Sequence, residues 1–233
     1  MTRWLPWLIV AALVAALGAA LWRPEAVARR LGFDDRIGEA KRDRWQADMR
    51  GQYARLDRSV PAGALLFIGD SHVQGLNAAQ VGSCTASFGI GGETARELTA
   101  RVAELTSLDR AAAVVVQIGT NDVLRGEDDR LADSYYRLLA ALPADRPVLL
   151  SSLPRTVPGS AHAFQAVRGS GAARAACSRR PNCHFVDLAA AMDEPEKLLE
   201  DDGVHLNPAG YALWARVLRE TLDKVGVADK SCA

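Results

Sequence analysis

Four polar clusters in this sequence hold the residue types that acyl transfer needs. They are Gly69-Asp70-Ser71-His72, Gly89-Ile90-Gly91-Gly92-Glu93-Thr94, Gly119-Thr120-Asn121-Asp122 and Asp202-Gly203-Val204-His205. Ser71 is the candidate nucleophile, an alcohol that stays inert at neutral pH until a base removes its proton. His205 is the candidate base, because imidazole titrates near the working pH. Asp202, three residues earlier, can accept from the far ring nitrogen and fix the tautomer. The N–H groups of Ser71 and Gly92 and the Asn121 amide are candidate donors to the oxyanion that forms when a carbonyl is attacked. At Gly92 no Cβ keeps a ligand away from the backbone. Asp70 and Asp122 read as loop-bonding carboxylates, and Glu93 as a first-turn helix residue favoured by the dipole. His72 reads as a substrate contact rather than the base, since a ring beside Ser71 is awkwardly placed to serve it.

Three of these clusters follow short apolar runs, Ala64–Ile68, Thr85–Phe88 and Ala113–Ile118, which read as buried strands. Val148–Ser152 and His184–Leu188 bring the strands to five, with Asp202–His205 after the last. Helical patterns fall near Glu93–Thr106, Asp129–Leu142, Ala161–Cys177 and Pro208–Val225. Pro208 suits a first helical turn, where its missing N–H would have no partner anyway. Strand–helix alternation predicts a parallel sheet covered on both faces. In such sheets ligands bind beyond the carboxyl ends of the strands, which is where the clusters fall.

The chain has 233 residues, 49% hydrophobic and 24% charged, which is globular usage. Lys+Arg and Asp+Glu are both 28, so no global field recruits nucleic acid. Residues 1–23 form a hydrophobic leader: Trp4 to Trp22 carries no charge and, at about 1.5 Å per residue, nearly crosses a bilayer core of about 30 Å. It reads as an uncleaved membrane anchor, with a cleaved signal peptide or a core helix as alternatives. Residues 24–60 are charged, with an apolar stripe at Ile37, Trp45, Met49, Tyr53 and Leu56, and read as an amphipathic helical linker packed on the domain, or as a partner-binding stalk. Residues 61–233 form the catalytic domain. The basic residues after the span favour a cytoplasmic domain, but long domains translocate largely regardless of charge. The four cysteines point outward, with Cys177–Cys183 and Cys84–Cys232 the favoured of three pairings. The expected location is the extracytoplasmic side, a bacterial periplasm, or secretion if the leader is cleaved. Zinc is the weaker reading, because no Cys-x-x-Cys pair exists.

Taken in order, the four blocks resemble those of the SGNH subgroup of the GDSL hydrolases, over about Leu65 to Leu218. Gly-Ile-Gly-Gly-Glu-Thr and Asp-Gly-Val-His-Leu-Asn-Pro-Ala-Gly-Tyr are similar to its lysophospholipase-like and platelet-activating-factor-acetylhydrolase-like branch. The resemblance implies a flavodoxin-like three-layer α/β/α sandwich with a five-stranded parallel sheet, and hydrolysis of esters or thioesters without a metal or cofactor. It implies Ser71, His205 and Asp202 as the triad and Ser71, Gly92 and Asn121 as the oxyanion donors. His72 departs from that branch. Rival functions are an O-acyl transferase or deacetylase on a cell-envelope glycan, a silent anchored binding domain, and a nucleotide-binding module. The last lacks Gly-x-Gly-x-x-Gly at Thr94. The Gly-x-Ser-x-Gly elbow of the other large hydrolase fold is absent, because position 73 is Val. The acyl chain and the alcohol are not written in these motifs.

Overall fold

The computed structural model describes residues 33–157, 159–160, 162–227 and 232, together with seven positions between 7 and 18. Most of the expected anchor, Trp4–Trp22, lies outside the described residues. Among the described residues no helix is long and apolar enough to cross a membrane. The chain divides into two compact units, Met1–Ala47 and Asp48–Ala233.

The second unit begins within helix α1 (Phe33–Asp57). Thereafter five strands alternate with helices: β1 (Leu65–Gly69), α2 (Ser71–Gly75), β2 (Thr85–Gly89), α3 (Ala95–Val102), β3 (Ala113–Gln117), α4 (Thr120–Leu124) and α5 (Leu131–Ala141). The chain continues through β4 (Val148–Ser151), α6 (Ala163–Cys177), β5 (Cys183–Val186), α7 (Leu188–Ala191) and α8 (Pro208–Lys224). All strand pairs are parallel, in the order β2-β1-β3-β4-β5. That is the flavodoxin-like doubly wound order, whose topological switch point lies between β1 and β3.

Alternate side chains of one strand feed two separate cores, as the period of two demands. Leu66, Ile68, Val114 and Val116 pack with Leu98 of α3, Leu138 of α5 and Ala173 of α6. On the other face Leu65, Phe67 and Val115 pack with Val73 of α2 and with Trp214 and Leu218 of α8. Covering both faces removes the polar side of each strand, which is why β1 and β3 read as unbroken apolar runs. Trp214 is fully buried, and its indole N–H finds Ser151 Oγ at 3.0 Å.

The expected stripe on α1 is partly corrected. Met49 and Tyr53 face the core, and the Tyr53 hydroxyl donates to the Gly89 carbonyl at 2.9 Å. Leu56 and Trp45 are exposed, and the Ile37 side chain lies outside what is described. Asp57 takes the inward position instead. It accepts from the backbone N–H and hydroxyl of both Thr106 and Ser107, capping the turn before β3. Burial opposes its charge, but those four donors outweigh burial and lower the carboxyl's pKa. Disulfides join Cys84 to Cys232 and Cys177 to Cys183, the pairs expected from the sequence.

Candidate active site

The three oxyanion candidates sit just beyond three neighbouring strands: Ser71 after β1, Gly92 after β2 and Asn121 after β3. Asp70 caps α2, its carboxylate accepting from the His72 N–H at 3.0 Å, so Ser71 becomes the first residue of a helix. A first-turn N–H has no intrahelical acceptor. Among the described residues, neither the Ser71 N–H nor the Gly92 N–H has a protein acceptor. Gly92 holds φ +75°, a left-handed conformation that side chains disfavour. Gly119, before Asn121, needs its glycine for space as well as for φ +116°, since a Cβ there would lie 2.5 Å from the Tyr135 hydroxyl.

The fourth cluster comes from a pinned turn before α8. Leu199 and Leu206 form an antiparallel bridge, and the Glu200 N–H donates to the His205 carbonyl at 2.8 Å. Asn207 caps α8 through its Oδ1 and reaches back with its amide to the Lys197 and Leu199 carbonyls. Within this turn Asp202 Oδ1 accepts from the N–H groups of Val204 and His205, both at 2.9 Å, leaving Oδ2 for the ring. His205 Nδ1 lies 2.6 Å from Asp202 Oδ2, and its Nε2 lies 2.8 Å from Ser71 Oγ. One continuous chain of hydrogen bonds therefore runs from hydroxyl to carboxylate. Desolvation works against the Asp202 charge, yet the His205 ring, the two backbone donors and the imidazole's charge hold its carboxyl down at about 2.

The oxyanion side is held differently. Glu93 is fully buried, and Arg101 grips it through two hydrogen bonds of 2.8 and 2.6 Å while also donating to the Phe88 carbonyl. Burial pushes the Glu93 carboxyl above its ordinary range despite that cation. Thr94 and Glu97 complete a capping box on α3, so Glu97, not Glu93, is the acidic residue of the first turn. This corrects the helical reading of Glu93. The Asn121 amide donates to the Glu93 carbonyl at 3.1 Å, and its second N–H can still serve a ligand. Asp122 Oδ2 accepts from the Ala95 N–H at 3.0 Å, the structural role expected of it. Burial, reinforced by Asp70 nearby, raises Asp122 to about 6 against the pull of its backbone donors. Arg125 donates to the Gly92 carbonyl, and Gln74 accepts from the Gly91 N–H at 2.9 Å.

Ser71, His205 and Asp202 are thus brought into one chain of bonds, while Gly92 lies on the turn after β2 and Asn121 in the first turn of α4. His72 is corrected: it is wholly buried and touches no open surface, so it is no substrate contact. Sequence reasoning missed Arg101, Arg125 and Gln74. Arg101 alone left a signal, a cation on the apolar stripe of α3 that contains Ala95, Leu98 and Val102. Beside the site, Val123, Leu124, Leu153 and Pro154 line a largely apolar cavity of about 130 Å³ that is closed on one side by Asp202–Val204. A larger cavity of about 390 Å³ opens beyond Leu153 and Pro154 and is lined by none of Ser71, His205 and Asp202.

The family model described as GDSL-like lipase/acylhydrolase matches residues 67–213. No curated protein sequence matches the chain. Among solved structures, a Streptococcus pneumoniae protein named for platelet activating factor is 20% identical, with a TM-score of 0.73 over 82% of this chain and 99% of that one. The lipase/acylhydrolase of Enterococcus faecalis is 19% identical, with a TM-score of 0.60 over 72% and 98%. The catalytic domain of peptidoglycan O-acetyltransferase A from Streptococcus pneumoniae is 16% identical, with a TM-score of 0.61 over 71% and 96%. At these identities the likeness is one of fold.

Proposed function

Since the chain belongs to the GDSL-like lipase/acylhydrolase family and is an ester-hydrolysing enzyme, we propose that it cleaves O-acyl esters through a Ser71–His205–Asp202 triad and an acyl-enzyme. The observation that carries this reading is the pair of short contacts, 2.8 Å from Ser71 Oγ to His205 and 2.6 Å from His205 to Asp202. Ser71 Oγ attacks the ester carbonyl as its proton passes to His205 Nε2. Asp202 steadies the resulting imidazolium without taking its proton. The carbonyl oxygen, now an oxyanion, accepts from the N–H groups of Ser71 and Gly92 and from the Asn121 amide. Collapse breaks the bond to the alcohol oxygen, which leaves with the proton from His205. Water then attacks the acyl-enzyme as its proton passes to His205, and the bond to Ser71 Oγ breaks as His205 returns that proton to Oγ, releasing the carboxylic acid.

The acyl group has a place to go in the apolar cavity beside Thr120 and Asp202–Val204, with the alcohol facing the open side, where the His205 side chain is 42% exposed. We place the domain on the extracytoplasmic side of a membrane, tethered by the uncharged Trp4–Trp22 run. Two disulfides favour an oxidising compartment for it. The test is release of p-nitrophenol from acetyl to long-chain esters by the full-length chain and by Ser71→Ala. Turnover should fall at least ~10⁴-fold in the variant, with the fold intact by circular dichroism. Comparable turnover by both would remove Ser71 from the reaction. No Ser71-dependent release with any ester would favour transfer to a glycan hydroxyl over hydrolysis.

A further inference from the structure

His72 lies at the junction of the two turns that must meet for a triad to form. Its Nδ1 is 3.2 Å from Asp70 Oδ1, its Nε2 is 3.1 Å from the Val204 carbonyl oxygen, and its ring stacks on that of His205 at 5.5 Å and 30°. Both His72 and Asp70 are fully buried.

The partners decide the chemistry of this ring. A backbone carbonyl can only accept, and Asp70 Oδ1 already accepts from the His72 N–H. A neutral imidazole has one N–H, so it would leave a ring nitrogen facing an oxygen lone pair in a site without water contact. Two N–H groups satisfy both contacts. We propose that His72 is a positioning residue: it is held as an imidazolium between Asp70 and the Val204 carbonyl, and it locks the turn carrying Asp202 and His205 onto the turn carrying Ser71. This rests on reading His205 as the base. It is a different claim, because His72 touches neither the nucleophile's hydroxyl nor any surface a substrate reaches.

The surroundings agree with a buried cation. Burial disfavours the charged ring, but the Asp70 hydrogen bond and charge, the Val204 carbonyl and the Asp202 charge outweigh it, so that its pKa is raised. The titratable groups facing it are Asp70 on its own turn and Asp202 and His205 on the opposing turn. Asp122 of α4 and Tyr211 of α8 interact in turn with Asp70. The second Asp70 oxygen is buried without a hydrogen-bond partner among the described residues, so the His72 ring and N–H are the donors its carboxyl group meets. The Val204 carbonyl belongs to the residue next to His205, so the hydrogen bond from His72 acts one peptide away from the base. Loss of that bond would let the turn drift without removing any group that touches substrate.

The direct test needs no variant to fold. In the full-length chain carrying ¹⁵N-labelled imidazoles, nitrogen–proton correlation spectra resolve the four histidines, and the buried ring is the one whose N–H protons exchange slowly. His72 should keep two protonated ring nitrogens at a pH where free imidazole has lost its second proton. A single N–H at about pH 7 overturns the proposal. Asp70→Asn keeps the shape and an acceptor but removes the charge. It should strip the second proton from His72 and lower kcat by about 10- to 100-fold with KM within about twofold, the signature of a displaced base rather than a lost substrate contact. An Asp70→Asn enzyme with neutral His72 and native kcat would overturn the positioning role. Failure of the triad reading looks different: Ser71→Ala would stay active while the His72 spectrum was unchanged.

Discussion

Two carboxyl groups with basic partners flank the candidate nucleophile, and they behave in opposite ways. Asp202 and His205 lie near the surface, with side chains 50% and 42% exposed, and Asp202 is driven down to about 2. Glu93 and Arg101 are sealed, at 0% and 1%, and burial drives Glu93 up. The partner in the sealed pair is a guanidinium, which stays charged, so the charge of the partner does not set the direction. What differs is water and backbone: Asp202 keeps solvent and adds two N–H donors, whereas Glu93 gives up solvent for the Arg101 guanidinium, with Arg50 more distant at 3.8 Å. The open pair is where the proposed mechanism moves a proton. The sealed pair holds the Gly92 turn in place, from Glu93 on one side and the Phe88 carbonyl on the other.

The sharpest way to break this contrast is His205→Ala. It should cost at least ~10⁴-fold in kcat with a melting temperature within a few degrees of native, because a half-exposed ring contributes little to stability. Arg101→Ala should do the reverse. It strands a buried carboxylate and should lose about 3–5 kcal/mol of stability in urea unfolding. Activity in the fraction still folded should suffer less than in His205→Ala. Equal thermal stability of the two variants would show that the division between a chemical pair and a structural pair is false. Asn121→Ala comes next, with about 10²–10³-fold lost in kcat, or roughly 3–4 kcal/mol of barrier, and an unchanged rate would remove it from the oxyanion site. A smaller effect is expected at Asp122. Its folded pKa is raised, so the unfolded chain loses the proton first and ionisation costs stability as pH climbs from about 4 to about 6. Asp122→Asn should therefore raise the melting temperature at about pH 8 and leave it unchanged near pH 3.5. Asp202 has the opposite sign: its stabilisation is full above the ordinary carboxylate range and is lost as pH falls through about 2. The least effect belongs to the exposed Arg137–Asp133 pair on α5, where Asp133→Ala should change stability by no more than about 0.5 kcal/mol.

How much of this was legible in the sequence depends on what each element rests on. The sheet was, because strands covered on both faces are written as apolar runs such as Ala113–Gln117, and their ends shift by only a residue or two. The long helices were, through their periodicity, although Glu93–Thr106 shrank to Ala95–Val102 where Thr94 caps it. Short α2, α4 and α7 left no trace, since helices of four or five residues span too little sequence to show a period. The hydrogen-bonded chain from Ser71 through His205 to Asp202 was legible because the roles proposed for it need particular residue types at particular strand ends. The groups that hold those residues were not. Arg125 meets the Gly92 carbonyl across 33 residues and His72 meets Val204 across 132, and no local spacing records such meetings. Asp57 shows the same limit, since a carboxylate one position past an apolar stripe reads as surface until Thr106 and Ser107 arrive to use it.

The Cys84–Cys232 bridge spans 148 residues of sequence and encloses Gly92, Asn121, Asp202 and His205, while Ser71 lies outside it on the same chain. A protease that nicks any loop between those cysteines, such as the glycine turn at Gly126, leaves both fragments covalently joined. On a gel run without reductant the nicked chain migrates as one band, and it splits into two once thiol is added. The crosslink thus keeps every member of the site on one covalent body after a single cut between those cysteines, a form of durability that lasts as long as thiols are scarce.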